Sequence, residues 1–158
     1  MGWNGAEWMV GMQRRMFHQG LLALVLLGAA GVGTGAAQQG TKAMDAAARL
    51  TSGEWLAEDI RGGGVIDNSR SSIAIAVNGA VSGSGGCNRL MGQAKVDGTA
   101  VTIGPLATTR MACAPALMNQ ERTFLSALEA TRSYRFEGDI LRFYDAAGAE
   151  LIRFTQLS

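Results

Sequence analysis

The sequence predicts an α+β fold in which one α-helix packs on an antiparallel β-sheet. From Trp55 onward, short apolar segments alternate with turn dipeptides at close spacing, which is typical of antiparallel strands rather than of βαβ units. The hydrophobic period changes once, over residues 115–130, where it becomes that of an amphipathic helix. The chain has 158 residues, which suffices for one domain.

Residues 1–37 have the features of a signal peptide. The basic pair Arg14-Arg15 precedes the apolar run 21–28, and small side chains favour cleavage after Ala37. The apolar run is much shorter than the about 20 residues that a membrane span requires. No cysteine lies near the cleavage position, so no lipid anchor is expected there. We therefore expect a periplasmic or secreted protein without a stable membrane anchor; the alternatives left open are an uncleaved anchor and export by the twin-arginine route.

The charge balance and the histidine count exclude several function classes. The chain has 14 Lys and Arg against 13 Asp and Glu, a net charge of +1, and its basic residues are scattered. This disfavours nucleic acid as a partner. Loss of residues 1–37 would leave 12 basic and 12 acidic residues and would remove His18, the only histidine. Because serine and cysteine nucleophile sites and most catalytic zinc sites use an imidazole, we expect no catalytic residue, no metal site and no cofactor.

The mature chain is expected to begin with a flexible segment. Residues 38–52 contain few large apolar side chains and are interpreted as a tether, with at most a helical turn over 44–50. The folded domain is then expected to cover residues 53–158, opening with a strand over Trp55–Ile60.

Two hairpins and a C-terminal meander follow the first strand. Residues 72–77 and 80–82 flank Asn78-Gly79, a dipeptide that tolerates φ > 0 at both central turn positions. The same logic pairs residues 92–96 with residues 99–103 around Asp97-Gly98. The meander consists of three segments, which are residues 134–136, 141–143 and 150–154.

One helix is predicted over Pro115–Ala130, where proline is acceptable in the first turn. Its inner stripe consists of Leu117, Glu121, Phe124, Leu125 and Leu128. The expected core consists of large apolar side chains from all these elements, namely Leu56, Ile60, Ile73, Ile75, Val101, Ile103, Phe124, Leu128, Phe136, Leu141, Phe143 and Phe154.

Cys87 and Cys113 are the only cysteines, and they lie 26 positions apart on either side of the second hairpin. An even number of cysteines in a chain bound for an oxidising compartment favours a disulfide. Such a bond would contribute about 3 to 4 kcal/mol in the chain-entropy description. Two buried free thiols and a redox-active pair are the alternatives.

The segments around the cysteines carry a family resemblance. Gly85-Gly86-Cys87-Asn88-Arg89, then Gly92, then Thr109-Arg110-Met111-Ala112-Cys113, and then Glu121 together resemble the META/HslJ-like domain of bacterial envelope proteins. The resemblance implies a curved antiparallel sheet or partly open barrel with one packed helix. It also implies a location in the envelope, an association with heat or antibiotic stress, and no established catalytic activity. The motif positions are Gly86, Asn88, Arg89, Thr109, Arg110, Met111, Ala112 and Glu121.

The motif residues are interpreted first as structural. The glycines of segment 83–86 are expected to permit φ > 0 or a close approach of another segment. Glu121 lies on the inner helix stripe, so its carboxylate needs a partner, because an uncompensated buried charge costs several kcal/mol. Arg110 is the first choice and Arg89 belongs to the same expected charge cluster. Contact with a ligand is the alternative role for these three side chains.

Two hypotheses about function follow. The first is a monomeric, non-enzymatic envelope protein that acts by binding an unknown envelope protein. The second is a module that binds a lipid or another apolar small molecule in the mouth of the curved sheet.

Overall fold

The computed structural model describes residues 35–157 as nine strands and two helices. The helices are α1 (Gly35–Leu50) and α2 (Pro115–Ala130). The strands are β1 (Glu54–Ile60), β2 (Ser71–Ile75), β3 (Ala80–Gly85), β4 (Arg89–Asp97), β5 (Ala100–Ile103), β6 (Ala107–Thr108), β7 (Ser133–Glu137), β8 (Ile140–Tyr144) and β9 (Glu150–Gln156). The predicted α+β class is confirmed, whereas the structure has two helices rather than one.

All strand pairs are antiparallel, and the sheet curves into a near-complete ring. The strand order is β3-β2-β1-β9-β8-β7-β5-β4-β6, and a further pairing of β3 with β4 brings the two sides together. The weakest join lies between β5 and β7, which share a single register pair, Ala100 with Ser133. The two-residue strand β6 adds to the N-terminal part of β4 beside the ring.

Both predicted hairpins and the meander are confirmed. Strands β2 and β3 pair around Asn78-Gly79, and strands β4 and β5 pair around Asp97-Gly98. Gly79 and Gly98 have φ values of 83° and 58°, in the left-handed region, whereas Asn78 and Asp97 do not have positive φ. Only one of the two turn positions in each hairpin therefore adopts the expected conformation. Strands β7, β8 and β9 follow one another in space as they do in sequence.

Helix α2 has the predicted bounds and packs with its inner stripe on the sheet. Phe124 and Leu128 are fully buried, and Phe124 meets the ring of Phe154 on β9 edge-on, with 6.2 Å between centroids. Thr131 caps the C-terminus of the helix, and its hydroxyl donates a hydrogen bond to the carbonyl oxygen of Ala127.

The prediction of a flexible tether over residues 38–52 is wrong. Most of that segment belongs to α1, which is anchored through its last turn. Leu50 is fully buried in the core, and its carbonyl oxygen accepts a hydrogen bond of 3.0 Å from the indole nitrogen of Trp55. The guanidinium of Arg49 lies 4.1 Å from the ring centroid of Phe136. The shortage of large apolar residues favoured the prediction of a tether, but the alanines of this segment have a high helix propensity.

Ten of the twelve predicted core residues are buried, and the exceptions are Leu56 and Phe136, which are half-buried. A β-bulge in β1, between Ala57 and Asp59 in its register with β9, explains the error at Leu56. Strict alternation would place Leu56 on the same face as Ile60. The extra residue at the bulge instead puts Trp55 and Ala57 on the inner face together with Ile60.

The two helices lie at opposite ends of β3. Gly79, just before this strand, lines a groove beside Ala47 and Ala48 of α1, whereas Gly85, its last residue, faces Glu121 of α2. The loop after β3 is therefore held between the sheet and α2, and this loop carries the first part of the sequence motif.

The predicted signal peptide lies almost entirely in residues 1–34, outside the described residues. Within residues 35–157, neither helix combines the length and the apolar character needed to cross a bilayer.

Candidate functional site

The centre of the motif is a buried hydrogen-bond network between the β3–β4 loop and α2. Asn88 is 2% exposed and Glu121 is 4% exposed. One carboxylate oxygen of Glu121 accepts a hydrogen bond of 2.6 Å from the backbone N–H of Asn88. The other carboxylate oxygen of Glu121 accepts a hydrogen bond of 2.8 Å from the side-chain amide of Asn88. The pair thus fixes the loop to the helix through two charge-assisted hydrogen bonds.

The other end of the Asn88 amide holds the segment that contains Cys113. Its oxygen accepts hydrogen bonds from the hydroxyl of Thr109, at 2.9 Å, and from the backbone N–H of Met111, at 2.7 Å. The Thr109 hydroxyl oxygen in turn accepts a bond from the backbone N–H of Arg89. One asparagine therefore joins three segments that are distant in sequence, and the spacing of the motif reflects this role.

The predicted pairing of Glu121 with Arg110 is wrong. Arg110 and Arg89 are both exposed, and neither takes part in the three ion pairs found among residues 35–157. The physical reason is that Asn88 supplies two donors inside the protein, whereas bringing a guanidinium there would require its desolvation as well. A backbone donor leaves no sequence signal, and Asn88 itself was predicted only as a motif position with a structural role.

Cys87 and Cys113 form the predicted disulfide, with their Cα atoms 6.1 Å apart. The bond lies beside the Asn88 network and links the same two segments, the β3–β4 loop and the end of the segment 109–113. A covalent link and a buried polar network therefore fix one region twice.

Glycines allow α2 and β2 to approach this region closely. A Cβ atom on Gly85 would lie 2.5 Å from Cγ of Glu121, and one on Gly83 would lie 2.1 Å from the carbonyl oxygen of Ser72. Gly86 has a φ of 107°, which other residues rarely adopt. Both expected reasons for this glycine run, close approach and positive φ, are thus present.

Three exposed motif residues, Arg89, Thr109 and Met111, line a groove on the outer face of β1 to β4. Its volume is about 720 Å³, and we call it the motif groove. Met91 and Met111 on its wall are 60% and 58% exposed, and Arg89 is exposed beside them. The residues that line it are Glu54, Ser72, Ala74, Ser82, Gly83, Ser84, Cys87, Arg89, Leu90, Met91, Thr109 and Met111.

Strand register explains the floor of the motif groove. Ser72 on β2, Ser84 on β3 and Arg89 on β4 are cross-strand neighbours, and so are Ala74, Ser82 and Met91. The floor is therefore built from small side chains and the walls from long ones. At the opposite rim, the hydroxyl of Ser72 donates a hydrogen bond to the carboxylate of Glu54.

The sequence motif contains the wall residues Arg89, Thr109 and Met111 but neither the floor residues nor Met91. Small residues alternating along β2 and β3 were the available signal, yet only the register shows that they face the same side as Met91. The other two exposed motif residues, Arg110 and Ala112, lie outside the lining of the groove.

A second groove, of about 710 Å³, lies between α1 and the turns that follow β2 and β4. Its lining is mainly small and apolar, and Val77 there is 88% exposed. Within residues 35–157, no group of three or more His, Cys, Asp or Glu side chains is arranged to hold a metal ion.

Comparison with solved structures supports the fold. The chain is similar to a protein studied by NMR, with 25% identity and a TM-score of 0.57 over 70% of this chain and 93% of that one. It is also similar to an NMR structure from Burkholderia xenovorans, with 22% identity and a TM-score of 0.55 over 72% and 88%. A crystal structure of a DUF4847 family protein from Bacteroides vulgatus matches at 16% identity and a TM-score of 0.52 over 67% and 93%.

Comparison of the sequence with curated proteins gives no significant match. The sequence pattern of the META domain, by contrast, matches residues 48–158. This range contains both cysteines, all the motif positions and every strand of the ring. The chain therefore belongs to the META domain family.

Proposed function

We propose that this protein is an exported, non-enzymatic binding protein that contacts another protein of the cell envelope through the motif groove. The observation that carries the proposal is the combination of a rigid frame with exposed adaptable side chains. The disulfide and the Asn88–Glu121 pair hold the walls, while Met91 and Met111 present flexible thioethers to solvent. Methionine and arginine are enriched where proteins bind one another.

The chemistry at the groove favours binding over catalysis. The polar groups of the network already satisfy one another: the carboxylate of Glu121 and the amide oxygen of Asn88 are both engaged inside the protein. The hydroxyl of Ser72 on the floor has no imidazole to activate it, because the sequence lacks histidine after His18. The groove therefore offers shape and contact surface rather than an activated nucleophile.

Site-specific photo-crosslinking in living cells tests this proposal. A photoreactive residue in place of Met91 is expected to give one adduct of defined mass, which Arg89→Ala and Met111→Asp weaken. The same residue in place of Met44, which is 75% exposed on α1, serves as the matched control and is expected to give no such adduct. Equal adducts at both positions, or no adduct at position 91, would contradict the proposal.

The link to heat or antibiotic stress belongs to the same proposal. Cells that lack the protein are expected to survive heat or antibiotic exposure less well, and a chain with Met91→Asp and Met111→Asp is expected not to restore survival. Restoration by this chain would separate the stress role from the motif groove.

A binding module for an apolar ligand is the second candidate, and the groove beside α1 favours it. Ala47, Ala76, Val77, Ala94 and Val96 give that groove mainly apolar walls. A ligand inside the ring is not expected, because large side chains fill the interior. These almost fully buried residues are Trp55, Phe124, Tyr134, Phe143 and Phe154. Native mass spectrometry of protein purified from the envelope distinguishes the candidates: a bound lipid lost on Val77→Asp would support the second one.

A further inference from the structure

Three arginines that are scattered in the sequence become neighbours on the outer face of β7, β8 and β9. Arg135 is the register partner of Arg142, and Arg142 is the register partner of Arg153. We call these residues the arginine row. Like charges directly opposite one another in a sheet are unfavourable, so this arrangement lowers stability unless something else compensates for it.

Among residues 35–157, only the central member of the row forms ion pairs, although Arg153 also lies opposite Asp59 of β1 in the strand register. The guanidinium of Arg142 forms ion pairs with Glu137, at 2.8 Å, and Glu150, at 2.6 Å. The hydrogen bond with Glu150 raises the pKa of Arg142, so this residue stays charged. Among residues 35–157, no carboxylate lies within 4.0 Å of the guanidinium groups of Arg135 and Arg153.

The two unpaired guanidinium groups are held at the surface two strands apart. Neighbouring strands lie about 4.8 Å apart, so the backbones of β7 and β9, which flank β8, are separated by about 10 Å. Arg135 is exposed, and its guanidinium carbon lies 5.0 Å from the ring centroid of Tyr144, which limits its freedom. Arg153 on β9 is half-buried.

We propose that the arginine row binds an acidic polysaccharide through carboxylates that engage Arg135 and Arg153. Guanidinium groups match carboxylates in shape and charge. Because Glu137 and Glu150 pair with Arg142, two guanidinium groups of the row have no ion pair among the residues that the structure describes. The row therefore suits a sparsely charged polymer better than a densely charged one such as nucleic acid. The row lies on the outer, convex side of the ring. A linear polymer can bend around a convex surface more easily than a flat membrane can.

A binding assay with hyaluronan oligosaccharide, which carries one carboxylate for every two sugars, tests the proposal on the purified full chain. The double variant Arg135→Gln and Arg153→Gln is expected to bind at least tenfold more weakly. Arg70→Gln with Arg110→Gln, which removes the same charge from two other exposed sites, is expected to change the affinity less than twofold. Salt is expected to weaken binding by the wild-type chain, because the contacts are between charges at the protein surface.

Thermal unfolding of the same variants separates binding from a structural role. Removing two like charges from the row is expected to leave the melting temperature unchanged or to raise it, while binding is lost. Four results would overturn the proposal: no binding of the oligosaccharide, equal losses in both double variants, a lower melting temperature that accounts for the weaker binding, or binding only to phosphatidylglycerol vesicles.

Discussion

Asn88 and Glu121 are 33 residues apart, and both oxygens of the Glu121 carboxylate accept hydrogen bonds from Asn88, one from its backbone and one from its side-chain amide. Within residues 35–157, this buried carboxylate has no other hydrogen-bond donor and no cationic partner. The loop that carries Cys87 and the helix that follows Cys113 depend on this relationship for their relative position.

Glu121→Gln is expected to destabilise the protein by about 1 to 3 kcal/mol. Glutamine keeps the shape but replaces one acceptor oxygen by an NH₂ group, which must then face a donor of Asn88. Chemical denaturation measures the loss. Glu129→Gln, on the exposed side of the same helix, is the matched control and is expected to change stability by less than about 0.5 kcal/mol. Equal effects at the two positions would argue against the role of the network.

Replacing both cysteines by serine is expected to lower stability by about 3 to 4 kcal/mol, because the unfolded chain gains the freedom that the closed loop removes. The unfolding midpoint should fall equally when the wild-type chain is reduced. Intact mass before and after reduction should differ by two hydrogens. Rapid iodoacetamide labelling of Cys87 and Cys113 in the unreduced, folded protein would contradict the presence of the disulfide.

Gly83→Ala is expected to destabilise the protein by several kcal/mol, because the added methyl group would lie 2.1 Å from a backbone oxygen of β2 that cannot move without disturbing the sheet. Thermal unfolding measures the effect. Gly40→Ala is the matched control: nothing lies within 4 Å of the added group, and alanine favours the helix by about 1 kcal/mol. If Gly83→Ala leaves the stability unchanged, β2 and β3 are farther apart than in this structure.

Leu50→Ala is expected to cost about 2 to 5 kcal/mol, because Leu50 is fully buried in the core. If residues 38–52 formed a flexible tether, this substitution would leave the stability almost unchanged. Met44→Ala on the same helix removes a side chain that is 75% exposed and should have little effect. If denaturant midpoints for the two variants coincide, α1 is not docked in solution.

Local patterns in the sequence predicted most of the elements, because each depends on residues close together in the chain. The dipeptides Asn78-Gly79 and Asp97-Gly98 determine their hairpins through backbone conformation, and the apolar stripe of Pro115–Ala130 determines its helix. The anchoring of α1 could not be predicted in this way. It depends on a cavity for Leu50 that the distant strands create.

The candidate site was predictable only in part, for a related reason. The two cysteines and the motif predicted which segments meet, but not which polar atoms pair. Arg110 is the stronger partner for a carboxylate in water, yet inside the protein the donors of Asn88 are already placed and carry no net charge to desolvate. The arginine row shows the same limit, since its members lie 7 and 11 residues apart in the sequence and only strand register aligns them.

The remaining prediction concerns alkaline pH and Tyr134. Its side chain is fully buried, and its hydroxyl donates a hydrogen bond of 2.8 Å to the carbonyl oxygen of Gly98. Burial raises the pKa of Tyr134 above its ordinary value of 10.0. Because the phenol keeps its proton longer in the folded state than in the unfolded state, its contribution to stability is complete below the unfolded pKa. It is lost as the pH rises through the folded pKa.

Melting temperatures between about pH 8 and pH 12 are therefore expected to fall above about pH 10, and Tyr134→Phe is expected to flatten that fall. At neutral pH, Tyr134→Phe should cost only about 1 kcal/mol, the net value of its hydrogen bond. Tyr144→Phe, which removes the chain's other tyrosine, is the control and should leave the alkaline fall in place. An unchanged pH profile in Tyr134→Phe would show that this phenol is accessible to water in the folded protein.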